Sequence, residues 1–344
     1  MILVDAVYIN QGGGKILLEY FIKTLMKKGV LHDFYFLLDE RLNSVFLDKI
    51  GENNYLKIAG SERNRKVFYK GSELNFTKIF CFGNVPPPIN LSHKKVYILF
   101  HNAHLVNSSI RKYGLLAKLK YSLKKYYIQF KNHQSYTWLV QTNFVKGLLE
   151  ERLLKKNQKV MVLPFFSLAD FSGELLKPEG EAKYLYVADG QPQKKHDYLF
   201  KVWEKLYHDH GLAPELFLTI GNVSEQLEIQ LKTLKEQGLR IQNLGYQSPV
   251  QIGKLYSVCE YLVYPSEIES FGLPLIEAAS AGCKVIAIDQ PYVFEVIKPS
   301  AVFNLHDVES LKHLLYEIDS GRKLPSTELA IRDEMETLVQ MLRK

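Results

Sequence analysis

Short apolar runs, rich in β-branched and aromatic residues, recur along the chain between stretches of helical spacing. In the first half they are ILVDAVYI, FYFLLD, KIFCFG, KVYILF, YTWLVQ and KVMVLP; in the second, YLYVA, LFLTIG, IQNLG, YLVYP, KVIAI and AVFNL. Runs this short and this nearly continuous predict strands buried on both faces, and their alternation with helices predicts parallel sheets. The alternation restarts after PFFSLADFSGELLKPEGEA, a polar, Pro- and Gly-punctuated stretch that reads as a linker. The expected architecture is α/β, with two Rossmann-like doubly wound domains facing across a cleft. The first covers residues 1–165, the linker 166–182 and the second domain 183–325, while residues 326–344 are expected to form a helix packing back on the first domain. In such sheets ligands sit beyond the carboxyl ends of the strands, so polar residues just after strands become the candidates.

Composition adds bounds. A chain of 344 residues with 47% hydrophobic and 24% charged residues is long enough for two globular cores and is not of disordered type. No run approaches the length of a spanning helix, and MILVDAVYIN, interrupted by Asp5, reads as a first strand rather than a signal peptide. Cys81, Cys259 and Cys283 show no metal or redox spacing and fit a reducing compartment, so the reading is cytoplasmic.

The net charge of +7 conceals an asymmetry: residues 1–165 hold 26 Lys and Arg against 11 Asp and Glu, and the rest of the chain reverses the sign. No carboxylate lies between Glu73 and Glu150. Within that gap RKYGLLAKLKYSLKKYYIQFK sets Arg111, Lys112, Lys118, Lys120, Lys124, Lys125 and Lys131 among Leu, Tyr, Ile and Phe. Two readings stay open: a basic amphipathic helix suited to lipid headgroups or nucleic-acid phosphate, or a solvated face whose apolar residues belong to the core.

The densest chemistry follows the strand YLVYP. Pro274 favours a loop over Glu269–Leu273 and a helix start at its own position, with Gly282 as the stop. Glu269 then stands before the helix and Glu277 within its first turns. Gly272 permits close backbone approach, and the amides at the helix mouth suit an anion. A carboxylate on each side can accept from hydroxyls, including a vicinal diol, so the group fits a nucleoside diphosphate sugar. The competing reading is an acidic helix start that complements the macrodipole. QGGGKILLEYFIKTL places a glycine turn and a helix after the first strand, without the full dinucleotide fingerprint. Lys194 and Lys195 sit in the turn after YLYVA, where lysine meets a diphosphate as a point charge or is merely solvated. KVYILF runs into His101-Asn102-Ala103-His104, a sugar-facing histidine or a structural one; no third ligand completes a metal site. Asp-x-Asp, a phosphate-binding P-loop and a serine nucleophile elbow are all absent from the sequence.

Glu269-x7-Glu277 with its internal SFGLP resembles the signature of retaining glycosyltransferases of the GT-B fold, carbohydrate-active family four (glycosyl transferases group 1). The glycines at 12–13, His101-Asn102, LVQTNFVKGLL, VLPFFSL and AASAGCKVIAI fall in that family's order, so the resemblance covers most of the chain. It implies that Glu269 holds donor-sugar hydroxyls, that Ser270, Phe271, Gly272 and Leu273 approach sugar and phosphates, and that Glu277 binds the ribose diol. Lys194, helped by Lys195, would clamp the diphosphate, Gly13 and Gly14 would sit close by, His101 would line the sugar site, and Tyr246 would border the base. The implied donor is a nucleotide-diphosphate sugar used without metal or other cofactor. The implied acceptor is a polysaccharide or lipid-linked oligosaccharide, and the basic 111–131 helix adds the expectation of peripheral contact with an anionic membrane, where such acceptors sit. One departure stands out: the family often has Gly-Arg where this chain has Ala188-Asp189. That replaces a cation with a carboxylate and keeps open a non-catalytic glycosyltransferase-like subunit; a nucleotide-sugar epimerase of the same fold is the other alternative. Nucleic-acid binding has the charge but no motif.

Overall fold

The computed structural model describes residues 1–43, 46–72, 76–106, 115–168 and 181–344. Two compact units divide the chain: Met1–Ser167 with Arg332–Lys344, and Leu168–Ile331.

The first unit is built on seven parallel strands: β1 (Ile2–Ala6), β2 (Phe34–Asp39), β3 (Tyr55–Ile58), β4 (Lys78–Cys81), β5 (Lys95–Leu99), β6 (Thr137–Val140) and β7 (Val160–Val162). They lie in the order β3-β2-β1-β4-β5-β6-β7. Strand alternation explains the double burial. Ile2, Val4 and Ala6 face one core with Leu17, Leu18, Phe21, Ile22 and Leu25 of the helix Gly12–Lys27. Leu3 faces the other, with Ile79, Ile98 and Trp138. The terminal helix Met335–Arg343 completes the first core with Met335, Leu338, Val339 and Leu342, the spacing of one helical face. It is tied down by Glu334 N donating to Pro164 O at 2.7 Å and by Asp333, which accepts from Tyr20 Oη at 2.6 Å and Phe166 N at 2.9 Å.

The expected helix over 326–344 is shorter than foreseen. Residues up to Ile331 belong to the second unit. There Thr327 Oγ1 accepts from Val285 N at 2.7 Å and meets Ser300 Oγ at 2.8 Å, holding the following residues extended.

The second unit carries β8 (Lys183–Tyr186), β9 (Glu215–Leu218), β10 (Ile241–Asn243), β11 (Tyr261–Tyr264), β12 (Lys284–Ile288), β13 (Ile297–Lys298), β14 (Ala301–Phe303) and β15 (Glu328–Leu329). Six form a parallel sheet in the order β10-β9-β8-β11-β12-β14, and β13 pairs antiparallel with β15. In each sheet the strand order reverses beside the first strand, between β1 and β4 and between β8 and β11. Chain leaving two neighbouring strands there diverges and opens a crevice.

Candidate functional site

At the β8/β11 crevice, residues 75 positions apart meet. Lys194 closes the short 3-10 turn Pro192–Lys194, and its Nζ donates to Glu269 Oε1 at 2.5 Å; both side chains are 15% exposed. The same carboxylate oxygen accepts from Tyr264 Oη at 2.7 Å and Ser266 Oγ at 2.6 Å. Burial alone would push the Glu269 carboxyl up, but the Lys194 charge and these three donors outweigh it and hold it below the usual carboxylate range. The loop is fixed from behind: Tyr186 Oη donates to Lys194 O at 2.7 Å, and Tyr292 Oη to Ser266 O at 2.6 Å. Lys195, at φ 56°, pairs through Nζ with Glu267 Oε2 at 3.1 Å. Thus both lysines expected at the diphosphate are held by acidic residues of the next loop. Asp189 turns back on its own loop and accepts from Gln191 N at 3.3 Å and Gln191 Nε2 at 2.7 Å.

The helix expected from Pro274 spans Leu273–Ser280. Gly272 caps it at φ 75°, where a side chain is strained; a Cβ would also lie 3.0 Å from Leu275 Cδ1. Of the first-turn amides, proline lacks one and Leu275 N is bonded to Gly272 O at 2.9 Å. The anion-facing donors are therefore fewer than a free helix start offers. Phe271 is buried, and Ser270 and Leu273 are half-buried. Glu277, one turn in, accepts from Tyr256 Oη at 3.2 Å, and burial raises its carboxyl above the ordinary value. Tyr246, beyond β10, stands 79% exposed.

In the first unit, Gly14 and His101 come together: a Cβ on Gly14 would lie 3.0 Å from His101 Cε1. Gly13 is exposed in the first turn of the same helix. His101 N donates to Asn84 Oδ1 at 2.7 Å, and Nε2 lies 3.0 Å from Asn84 Nδ2 and 3.1 Å from Phe82 O. Burial, with the Lys124 charge adding to it and Phe82 O opposing, pulls His101 down to about 4, so the ring is neutral at physiological pH.

A buried ionic network lies in the same unit. Arg65 Nη2 meets Asp5 Oδ2 at 2.7 Å and Arg65 Nη1 meets Glu62 Oε1 at 2.7 Å. Tyr8 and Tyr127 donate to Glu62 as well. Tyr8 holds φ 85°, an uncommon conformation for a bulky residue.

Sequence reasoning missed Tyr264, Ser266, Tyr186 and Glu267, although the first two stand at the carboxyl end of the expected strand YLVYP. Asn84, Glu62 and Tyr127 carry no local motif. Among the described residues, two buried side-chain atoms lack a hydrogen-bond partner, Asn102 Oδ1 and His196 Nε2. Each is next in sequence to a candidate site residue. Arg111 and Lys112 lie outside the described residues, as does 169–180 of the expected linker. Lys118, Lys120, Lys124 and Lys125 are all on the helix Leu115–Lys131. Among the described residues no cluster of His, Cys, Asp and Glu has metal-site geometry.

Residues 169–326 match the family described as glycosyl transferases group 1. The serotype-specific mannosyltransferase WbdA of Escherichia coli is 28% identical over 161 residues, 44% of this chain and 20% of that protein. O-antigen chain mannosyltransferase B of E. coli is 30% identical over 147 residues, 41% of this chain and 38% of the relative. The chain thus spans well under half the length of these relatives. The crystal structure of Anabaena Alr3699/HepE in complex with UDP-glucose superposes with a TM-score of 0.66 at 12% identity, covering 99% of this chain and 94% of that one. That likeness is one of fold, and with the two parallel-sheet units it makes the architecture GT-B. The matched residues of the second unit are thus similar to the group 1 glycosyl transferases.

Proposed function

We propose that this protein is a retaining glycosyltransferase that moves a hexose-type residue from a nucleotide-diphosphate sugar to a polysaccharide or lipid-linked oligosaccharide. The observation that carries the reading is the joining of Lys194, Glu269, Tyr264 and Ser266 beside the Gly272 turn. A cation, an ionised carboxylate and a glycine-capped helix start share one crevice, with a second carboxylate, Glu277, one turn away. In this reading Lys194 and Lys195 supply countercharge to the diphosphate, Glu269 accepts from donor-sugar hydroxyls and Glu277 from the ribose diol. The orphaned His196 Nε2 beside the lysines is a polar group awaiting a partner.

The transfer breaks the bond from the anomeric carbon to the diphosphate oxygen and forms one to the acceptor oxygen on the same face. The acceptor's proton passes to the departing phosphate. The protein then contributes position and charge rather than a covalent nucleophile. The lysines exchange carboxylates for phosphate oxygens when donor binds, so the pocket is pre-formed in charge.

The names of the relatives support the substrate class: mannosyltransferases, two of them of O-antigen chains, and UDP-glucose in the fold relative. A second reading, a glycosyltransferase-like subunit without turnover, is favoured by Asp189, whose carboxylate replaces a phosphate-facing cation. One experiment separates them: the intact chain is incubated with a panel of UDP- and GDP-sugars and candidate acceptors, and NMR follows the anomeric proton. Transfer with retained configuration supports the proposal. Inverted product, or sugar interconversion without acceptor, overturns it; nucleotide binding with no turnover selects the subunit.

A further inference from the structure

The helix Leu115–Lys131 has two apolar faces, and the fold uses one of them. Ile128 is fully buried, and Tyr121 packs on the same core. On the other side Leu119, Leu123, Tyr126 and Phe130 are 58%, 61%, 69% and 70% exposed. At about 100° per residue, their spacing of four, three and four keeps them within roughly 40° of one line along the helix. The Tyr126 and Phe130 rings stack, with centroids 6.5 Å apart and planes at 14°. A surface helix ordinarily turns such a stripe inward; contiguous exposed apolar surface marks a contact.

Charge identifies the partner. Lys118 and Lys125 border one edge of the stripe and Lys120 and Lys131 the other, with no carboxylate on the helix. Lys131 reaches along the surface, its Nζ 5.3 Å from the Phe130 ring centre and 2.7 Å from Pro88 O. A second copy of the same face would set lysine rows against lysine rows. Nucleic acid would meet the cations and leave the leucines in water. An apolar centre with long cationic side chains on both flanks matches a lipid surface, with rings and leucines at the acyl boundary and ammonium groups among the phosphates.

We propose that this stripe docks the protein on the surface of an anionic bilayer, the helix lying in the interface plane. Among the described residues no helix is long and apolar enough to cross a membrane. The inference deepens the transferase reading, on which it rests for the role of docking, namely bringing the site to a lipid-linked acceptor.

Flotation of the intact protein tests it, using phosphatidylcholine vesicles with and without about three parts in ten phosphatidylglycerol, at low and high salt. The protein should float with the anionic vesicles and be released by salt. L123S/F130S should lower partitioning on the order of a hundredfold, since burying either side chain shifts an equilibrium more than tenfold. Lys120→Gln and Lys125→Gln should each lower it about fivefold. Unchanged melting of the variants keeps the loss from being one of folding. Equal binding to neutral vesicles, no binding, or indifference to these substitutions overturns the proposal. So does a wild-type dimer that L123S/F130S converts to monomer without any vesicle binding. Nucleoside diphosphate calorimetry on the same samples separates the two readings: nucleotide binding without flotation fails docking alone, and flotation without nucleotide binding fails the transferase reading alone.

Discussion

The Lys194–Glu269 pair invites a double-mutant cycle. At 2.5 Å the Coulomb attraction is about 6–7 kcal/mol at an effective dielectric of about 20. Desolvating the two ions offsets much of it, leaving a coupling of about 2–3 kcal/mol for side chains that each keep 15% exposure. Glu269→Gln strands the ammonium beside an amide and should cost about 3–4 kcal/mol. Lys194→Met leaves a carboxylate still served by Tyr264 and Ser266, so about 2 kcal/mol is expected. The double variant should fall short of the sum by the coupling. The two tryptophans make the assay local: Trp138 lies in the first unit and Trp203, fully buried against Tyr184, in the second. In a Trp138→Phe background, urea unfolding followed by fluorescence reports the second unit. The Glu269 carboxyl is depressed in the folded state, so its contribution is complete above the ordinary carboxylate range and disappears as pH falls through the depressed value. Additive costs, within about 0.5 kcal/mol at neutral pH, would refute the argument that the pair is coupled.

Two further outcomes are expected. Burial raises the Glu277 carboxyl, so acidification protonates it earlier than an exposed glutamate. Nucleoside diphosphate affinity should weaken with acidification before the ordinary carboxylate range is reached; Glu277→Ala should cost roughly tenfold at neutral pH and lose that share of the pH dependence, by calorimetry. Burial pulls His101 down to about 4 in the folded protein, from the ordinary histidine value of 6.5, so the unfolded chain takes up the proton first. First-unit stability should decline as pH falls between those values, by up to about 3 kcal/mol. His101→Gln should flatten that decline in urea titrations read by Trp138.

What could be read beforehand followed local chemistry. The strands were legible because YLVYP, KVIAI and their counterparts are apolar on both faces, which only a covered parallel sheet demands. The glycine at 272 was legible because its neighbours dictate a turn and a helix start. Contacts set by strand order were not. Lys194 reaches Glu269 because β8 and β11 are neighbours, and nothing near either residue announces that. The helix Leu115–Lys131 was legible as amphipathic, yet its periodicity serves two faces, and composition does not say which one the core takes. The end of the chain was misjudged because Thr327 has two partners, Val285 and Ser300, that lie far from it in sequence.

The return of Arg332–Lys344 to the first unit also sets an order of events during synthesis. Domains commonly fold in the order in which they leave the ribosome. Here Met335, Leu338, Val339 and Leu342 fill a core whose other residues lie between Ile2 and Phe165, all made well before them. The second unit can close while translation continues, whereas the first must wait with an open apolar groove until the helix Met335–Arg343 emerges. Nascent protein stalled before residue 335 should therefore be the species that chaperones hold.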